Sequence, residues 1–137
     1  MDLLHMQEEL IMVFKRTEGF RYAFKEPISA NFMILLDGKS ENIELTKYPC
    51  EIVDISPHGM KMFSNKEIGV HNNKLVQLEV QFILDEVLIK AIAEVVWAKD
   101  LGRHIQYGLT FENQPVIEEL IVSELKLRRK KEVNRKQ

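Results

Sequence analysis

Apolar and polar positions alternate strictly over most of residues 28–111, whereas both ends of the chain repeat at a helical spacing. Between Asp2 and Lys15, Leu3, Met6, Leu10, Val13 and Phe14 fall on one face and Glu8 and Glu9 on another, predicting an amphipathic N-terminal helix over residues 1–15. Pro27 interrupts "RYAFKEP", so the first strand is expected in "ISANFMILL", with Ile28, Ala30, Phe32 and Ile34 on one face and a turn at "DGKS" after it. "YPCEIVDI" reads as a second strand. "GMKMFS" reads as a third, with Met60 and Met62 on one face and Lys61 and Phe63 on the other.

"KLVQLEVQFIL" and "VLIKAIAEVVWA" flank Asp85 and Glu86 as the arms of a hairpin, and "HIQYGLTFE" alternates Ile105, Tyr107, Leu109 and Phe111. Phe24, Trp97 and Tyr107 fall on alternating apolar positions and are expected in the core. Six short strands with hairpin-like connections predict a six-stranded antiparallel β-barrel, in which closure removes exposed edges. Pro115 suits the first turn of a C-terminal helix, "PVIEELIVSELKLRRKK", whose apolar stripe is read through Val116, Leu120 and Ile121 with Ile117, Ser123, Glu124 and Leu125 around them. Glu118 and Glu119 near its start and Arg128 to Lys131 near its end suit the helix dipole.

At 137 residues and 45% hydrophobic, the chain is sized for one core. The expected division is a helix over 1–15, a barrel with its C-terminal helix over 16–131, and a basic tail over 132–137. No apolar run approaches the length of a bilayer span, and acids stand near the N-terminus where a secretory signal carries positive charge. The expectation is a cytoplasmic protein without membrane contact. The one cysteine, Cys50, reads as a buried thiol.

The net charge of −2 is unevenly spread: residues 126–137 hold seven Lys or Arg against one Glu, leaving 12 basic and 20 acidic residues elsewhere. Basic character confined to a tail argues against a nucleic-acid polymer as partner. His5, His58, His71 and His104 are scattered without metal-ligand spacing, and no nucleophile elbow or phosphate loop is present. The chain therefore reads as a binding module, not an enzyme, with no metal and no cofactor.

The stretch "DISPHGMKM" places Asp54, Ser56 and Gly59 in the pattern D-x-S-x-x-G. As a turn it is self-explanatory: Asp and Ser side chains bond nearby backbone, Pro57 fixes its own φ, and Gly59 is free to take a positive φ. Together with an Arg-containing segment at residues 15–25 ahead of the first strand, the strand "GMKMFS", a closing strand "QYGLTFEN" and a helix after it, the stretch resembles the PilZ domain. PilZ is a bacterial receptor module for cyclic di-GMP.

The resemblance covers residues 15–130 and implies a PilZ-like split barrel that binds cyclic di-GMP between an R-x-x-x-R segment and the D-x-S-x-x-G turn. It implies that Asp54 accepts hydrogen bonds from guanine N–H groups, that Ser56 touches the ligand through its hydroxyl, and that Gly59 permits the bend and close approach. The arginine motif departs from the family pattern. Arg16 with Arg21 is one residue too long, and Arg21 with Lys25 keeps the spacing but replaces one guanidinium by an ammonium. The alternative is a PilZ-like adaptor that binds no nucleotide and uses its flanking helices for a protein partner or a homodimer.

Overall fold

A computed structural model describes residues 21–35, 46–68 and 76–135. The expected N-terminal helix, Arg16 and the expected turn at "DGKS" lie outside the described residues. Among the described residues six strands, β1 (Tyr22–Leu35), β2 (Tyr48–Ser56), β3 (Gly59–Ser64), β4 (Gln77–Ile83), β5 (Leu88–Asp100) and β6 (Ile105–Phe111), precede one helix, α1 (Pro115–Arg135). All neighbouring strands are antiparallel and close into a barrel in the order β1-β2-β3-β6-β5-β4. The expected six-stranded antiparallel barrel with a C-terminal helix is the observed architecture.

Alternation explains the core. Phe32, Ile52, Met60, Met62, Leu78, Val80, Phe82, Ala91 and Tyr107 point inward and are almost wholly buried. Polar neighbours of the same strands face out, which is what a half-solvated antiparallel sheet requires. Phe24 and Tyr107 are core residues as expected, and the Tyr107 hydroxyl donates to Lys66 O at 2.7 Å and accepts from Ile68 N at 3.0 Å. Cys50 is buried, and burial pushes its thiol up to about 12. The nucleophile is the thiolate. We therefore expect folded protein at pH 8 to resist alkylation by iodoacetamide over hours and to react fully in denaturant, as read by mass spectrometry.

β1 differs from its expected limits. It starts at Tyr22 and runs through Pro27, because the register against β2 shifts between Ala23 and Ile28. Pro27 thus occupies an irregular stretch, where it removes no ladder hydrogen bond.

The helix seals one end of the barrel with Ile121 and Leu125, both in the core. Val116, expected on that stripe, is 75% exposed. Five residues before Ile121, it lies roughly 140° around the helix from it. The buried face continues through Glu124, whose carboxylate accepts the backbone N–H groups of Glu86 and Val87 at 3.0 and 2.7 Å. Arg128 donates to Leu84 O at 2.9 Å, and Lys131 reaches Asp85 and Glu86 at 2.9 and 3.0 Å. These hydrogen bonds to the Lys131 ammonium raise its pKa. Part of the basic end is therefore spent on the acidic β4–β5 turn, and α1 continues past Lys131 to Arg135.

Candidate functional site

Asp54 reaches the outer surface through a bulge. Cys50 and Ile52 face inward, so an unbroken alternation would aim Asp54 into the core. The register between β2 and β3 shifts between Ile52 and Asp54, after which Ile55 pairs with Met60 inside and Asp54 pairs with Lys61 outside. One extra residue, Val53, flips the parity and turns a carboxylate out of the barrel.

Beyond Asp54 the chain turns tightly through Pro57 and His58 into β3. The Ser56 hydroxyl accepts the His58 N–H at 3.2 Å and donates to Gly59 O at 3.4 Å, so it shapes the turn from a buried position. Gly59 is needed for space, not for a left-handed backbone. Among the described glycines only Gly102, at φ 93°, lies in that region. A Cβ on Gly59 would stand 2.3 Å from Leu109 O of β6, and His58 O accepts the Phe111 N–H at 2.8 Å. β6 is thus laid directly against the turn.

The arginine segment meets the turn at Asp54. Arg21 donates through Nη1 to Asp54 Oδ1 at 2.9 Å, and Lys61 Nζ stands 3.7 Å from the other carboxylate oxygen. Asp54 is buried, while the Arg21 and Lys61 side chains are 42% and 36% exposed. Two half-exposed cations therefore flank one sheltered acceptor. Lys25 is exposed on the irregular part of β1 and forms no ion pair with Asp54. Of the expected site residues, the structure brings Arg21, Asp54, Ser56 and Gly59 to one corner of the barrel.

Two further residues on this face lie outside the arginine and D-x-S-x-x-G motifs. Register runs across the barrel from Ala23 to Asp54 to Lys61 to Gly108 to Trp97. Strict alternation places Trp97 inside, following Ala91, Ala93 and Val95, but the β5–β6 register shifts between Val95 and Trp97 and turns the indole outward. Gly108 makes room for it. A Cβ there would fall 2.1 Å from Trp97 Nε1, so the ring lies over the bare glycine backbone and stays 40% exposed.

Both halves of the corner also touch α1. The Tyr22 hydroxyl donates to Glu132, and burial together with that carboxylate pushes the phenol's pKa up. His58 Nδ1 lies 3.3 Å from Glu118 Oε1 near the start of the helix.

A family model described as PilZ domain matches residues 15–126. The chain belongs to the PilZ domain family. Among solved structures, the PilZ domain of CeSA from a cellulose synthesizing bacterium superposes with a TM-score of 0.54 at 11% identity, over 78% of this chain and 94% of that one. The PilZ domain of YcgR from Escherichia coli, solved with cyclic di-GMP, gives 0.54 at 14% identity over 84% and 95%. A longer YcgR structure in complex with cyclic di-GMP gives 0.56 at 15% identity, over 86% of this chain and 49% of that one. At these identities the likeness establishes the PilZ fold. The comparison with curated proteins finds no match.

Proposed function

We propose that this PilZ domain is a receptor for cyclic di-GMP, held across the outer face between the arginine segment and the Asp54–Gly59 turn. The supporting observation is the 2.9 Å contact between Arg21 and Asp54, residues 33 positions apart that represent the two halves of the motif. Without ligand the guanidinium and carboxylate satisfy one another. With ligand, the Arg21 fork turns to a phosphate or to guanine O6 and N7, and Asp54 takes guanine N–H donors in its place.

Of the remaining candidates, Arg16 in the segment and Ser56 and Gly59 in the turn serve the same site, whereas Lys25, exposed where β1 leaves its register with β2, is not assigned to it. Ser56 keeps one hydroxyl lone pair for a ligand donor. Trp97 offers its exposed ring for stacking a guanine, a contact worth about 1–3 kcal/mol per base. The reorganised arginine segment changes what residues 1–15 can touch, and Tyr22 and His58 carry the same change to α1 through Glu132 and Glu118.

Trp97 is the only tryptophan of the chain, so its fluorescence reports this site alone. Cyclic di-GMP should quench it saturably, with the same half-saturation seen by a ligand-side probe. Trp97→Ala should weaken binding about tenfold. An unchanged emission spectrum under saturating nucleotide would count against the placement of the ligand.

The adaptor reading rests on a different observation. Val116, Leu127 and Val133 are exposed apolar residues of α1, as on a helix that meets a protein partner or a second copy. Its expected signature is self-association or partner binding that cyclic di-GMP leaves unchanged, measured by analytical ultracentrifugation.

A further inference from the structure

We propose that Lys61 of β3 supplies the second cation of the nucleotide site, a role the sequence motif leaves to Arg16 or Lys25. The inference rests on the reading that cyclic di-GMP lies over Arg21 and Asp54. Its basis is position first. Lys61 is directly opposite Asp54 on one side and opposite Gly108, the seat of the Trp97 ring, on the other. It therefore stands between the guanine acceptor and the stacking surface.

Charge gives the second argument. Arg21 and Asp54 cancel, and a phosphate diester approaching them alone meets no net attraction. With Lys61 the corner carries one net positive charge. At 3.7 Å from Asp54 Oδ2 the ammonium is too far to be hydrogen-bonded to it, whereas Arg21 holds the other oxygen at 2.9 Å. Lys61 is thus kept near the carboxylate while its three donors remain available to an anion. An ammonium is a compact point charge, suited to a phosphate oxygen, and leaves the planar fork of Arg21 for the guanine edge or the second phosphate.

Lys25 lacks this setting. It sits on the exposed stretch where β1 leaves its register with β2. Met60 and Met62, the buried neighbours of Lys61, fix the opposite: β3 must present position 61 to the outer face.

The test is calorimetric titration of the full chain with cyclic di-GMP for wild type, Lys61→Met, Lys61→Arg and Lys25→Met, with thermal melts to establish folding. The expected result is about tenfold weaker binding for Lys61→Met, with a shallower dependence on salt. Lys61→Arg should stay within about threefold of wild type and Lys25→Met within about twofold. Wild-type binding with Lys61→Met unchanged, or with the loss confined to Lys25→Met, would overturn the role of Lys61 and leave the receptor reading standing. No binding by wild type would overturn both.

Discussion

Replacing Asp54 by alanine is expected to weaken cyclic di-GMP binding at least a hundredfold while the barrel stays folded. The carboxylate is the only described acceptor on the outer face that is both sheltered from water and held by two cations. Two charge-assisted hydrogen bonds to guanine N–H donors are worth about 1.5–3 kcal/mol each, so their joint loss exceeds the factor of ten that either represents. Alanine also releases Arg21 from its anchor. Asparagine, which keeps one carbonyl acceptor in the same place, should retain measurable affinity within about thirtyfold of wild type. Equilibrium dialysis with labelled nucleotide separates the three proteins. Equal affinity for Asp54→Ala and wild type would remove Asp54 from the site.

Gly59→Ala is expected to act on the fold first. Its Cβ would meet Leu109 O at 2.3 Å, and the atom in the way is backbone of the neighbouring strand, so no side-chain rotation relieves the contact. The β3–β6 ladder must open there, taking with it the bond from Phe111 N to His58 O. Overpacking of this kind costs about 1–3 kcal/mol, and here the upper half of that range is expected. Thermal unfolding should shift down by roughly 10 °C. The ligand affinity of the folded fraction should fall as well, since the turn that carries Asp54 is displaced. Gly108→Ala makes an instructive contrast. The obstacle there is the Trp97 ring, which can swing away, so stability should change less than indole fluorescence.

Most of the barrel could be read from alternation because its strands each bury one face, and a one-residue slip would turn every apolar side chain to water. The same logic explains what alternation conceals. Val53 and Val96 are ordinary strand residues, yet each sits at a break in register, and each break turns a side chain of the proposed site to the outside. Read at a strict period of two, Asp54 follows Cys50 and Ile52 into the core, and Trp97 follows Ala93 and Val95. A spacing motif rescues Asp54. Trp97 and Lys61 have no such motif, and their neighbours Gly108 and Asp54 are known only once the strands are paired.

The reason for Gly59 was hidden for a similar cause. A glycine at the end of a turn invites an argument from φ, which is local. Its actual constraint is a strand fifty residues later in the chain, which no window around the turn contains. Pro27 shows the reverse error, a local signal for a break that the irregular pairing of β1 absorbs.

If Arg21 and Asp54 together form a cyclic di-GMP site, isothermal titration separates wild type from Arg21→Ala. Saturable heat is expected for wild type, with a dissociation constant of about tens of micromolar or below, roughly −6 kcal/mol or better, and at least a tenfold loss for Arg21→Ala. Absence of heat with folded wild-type protein at about ten times that concentration, or equal binding by both proteins, would contradict it.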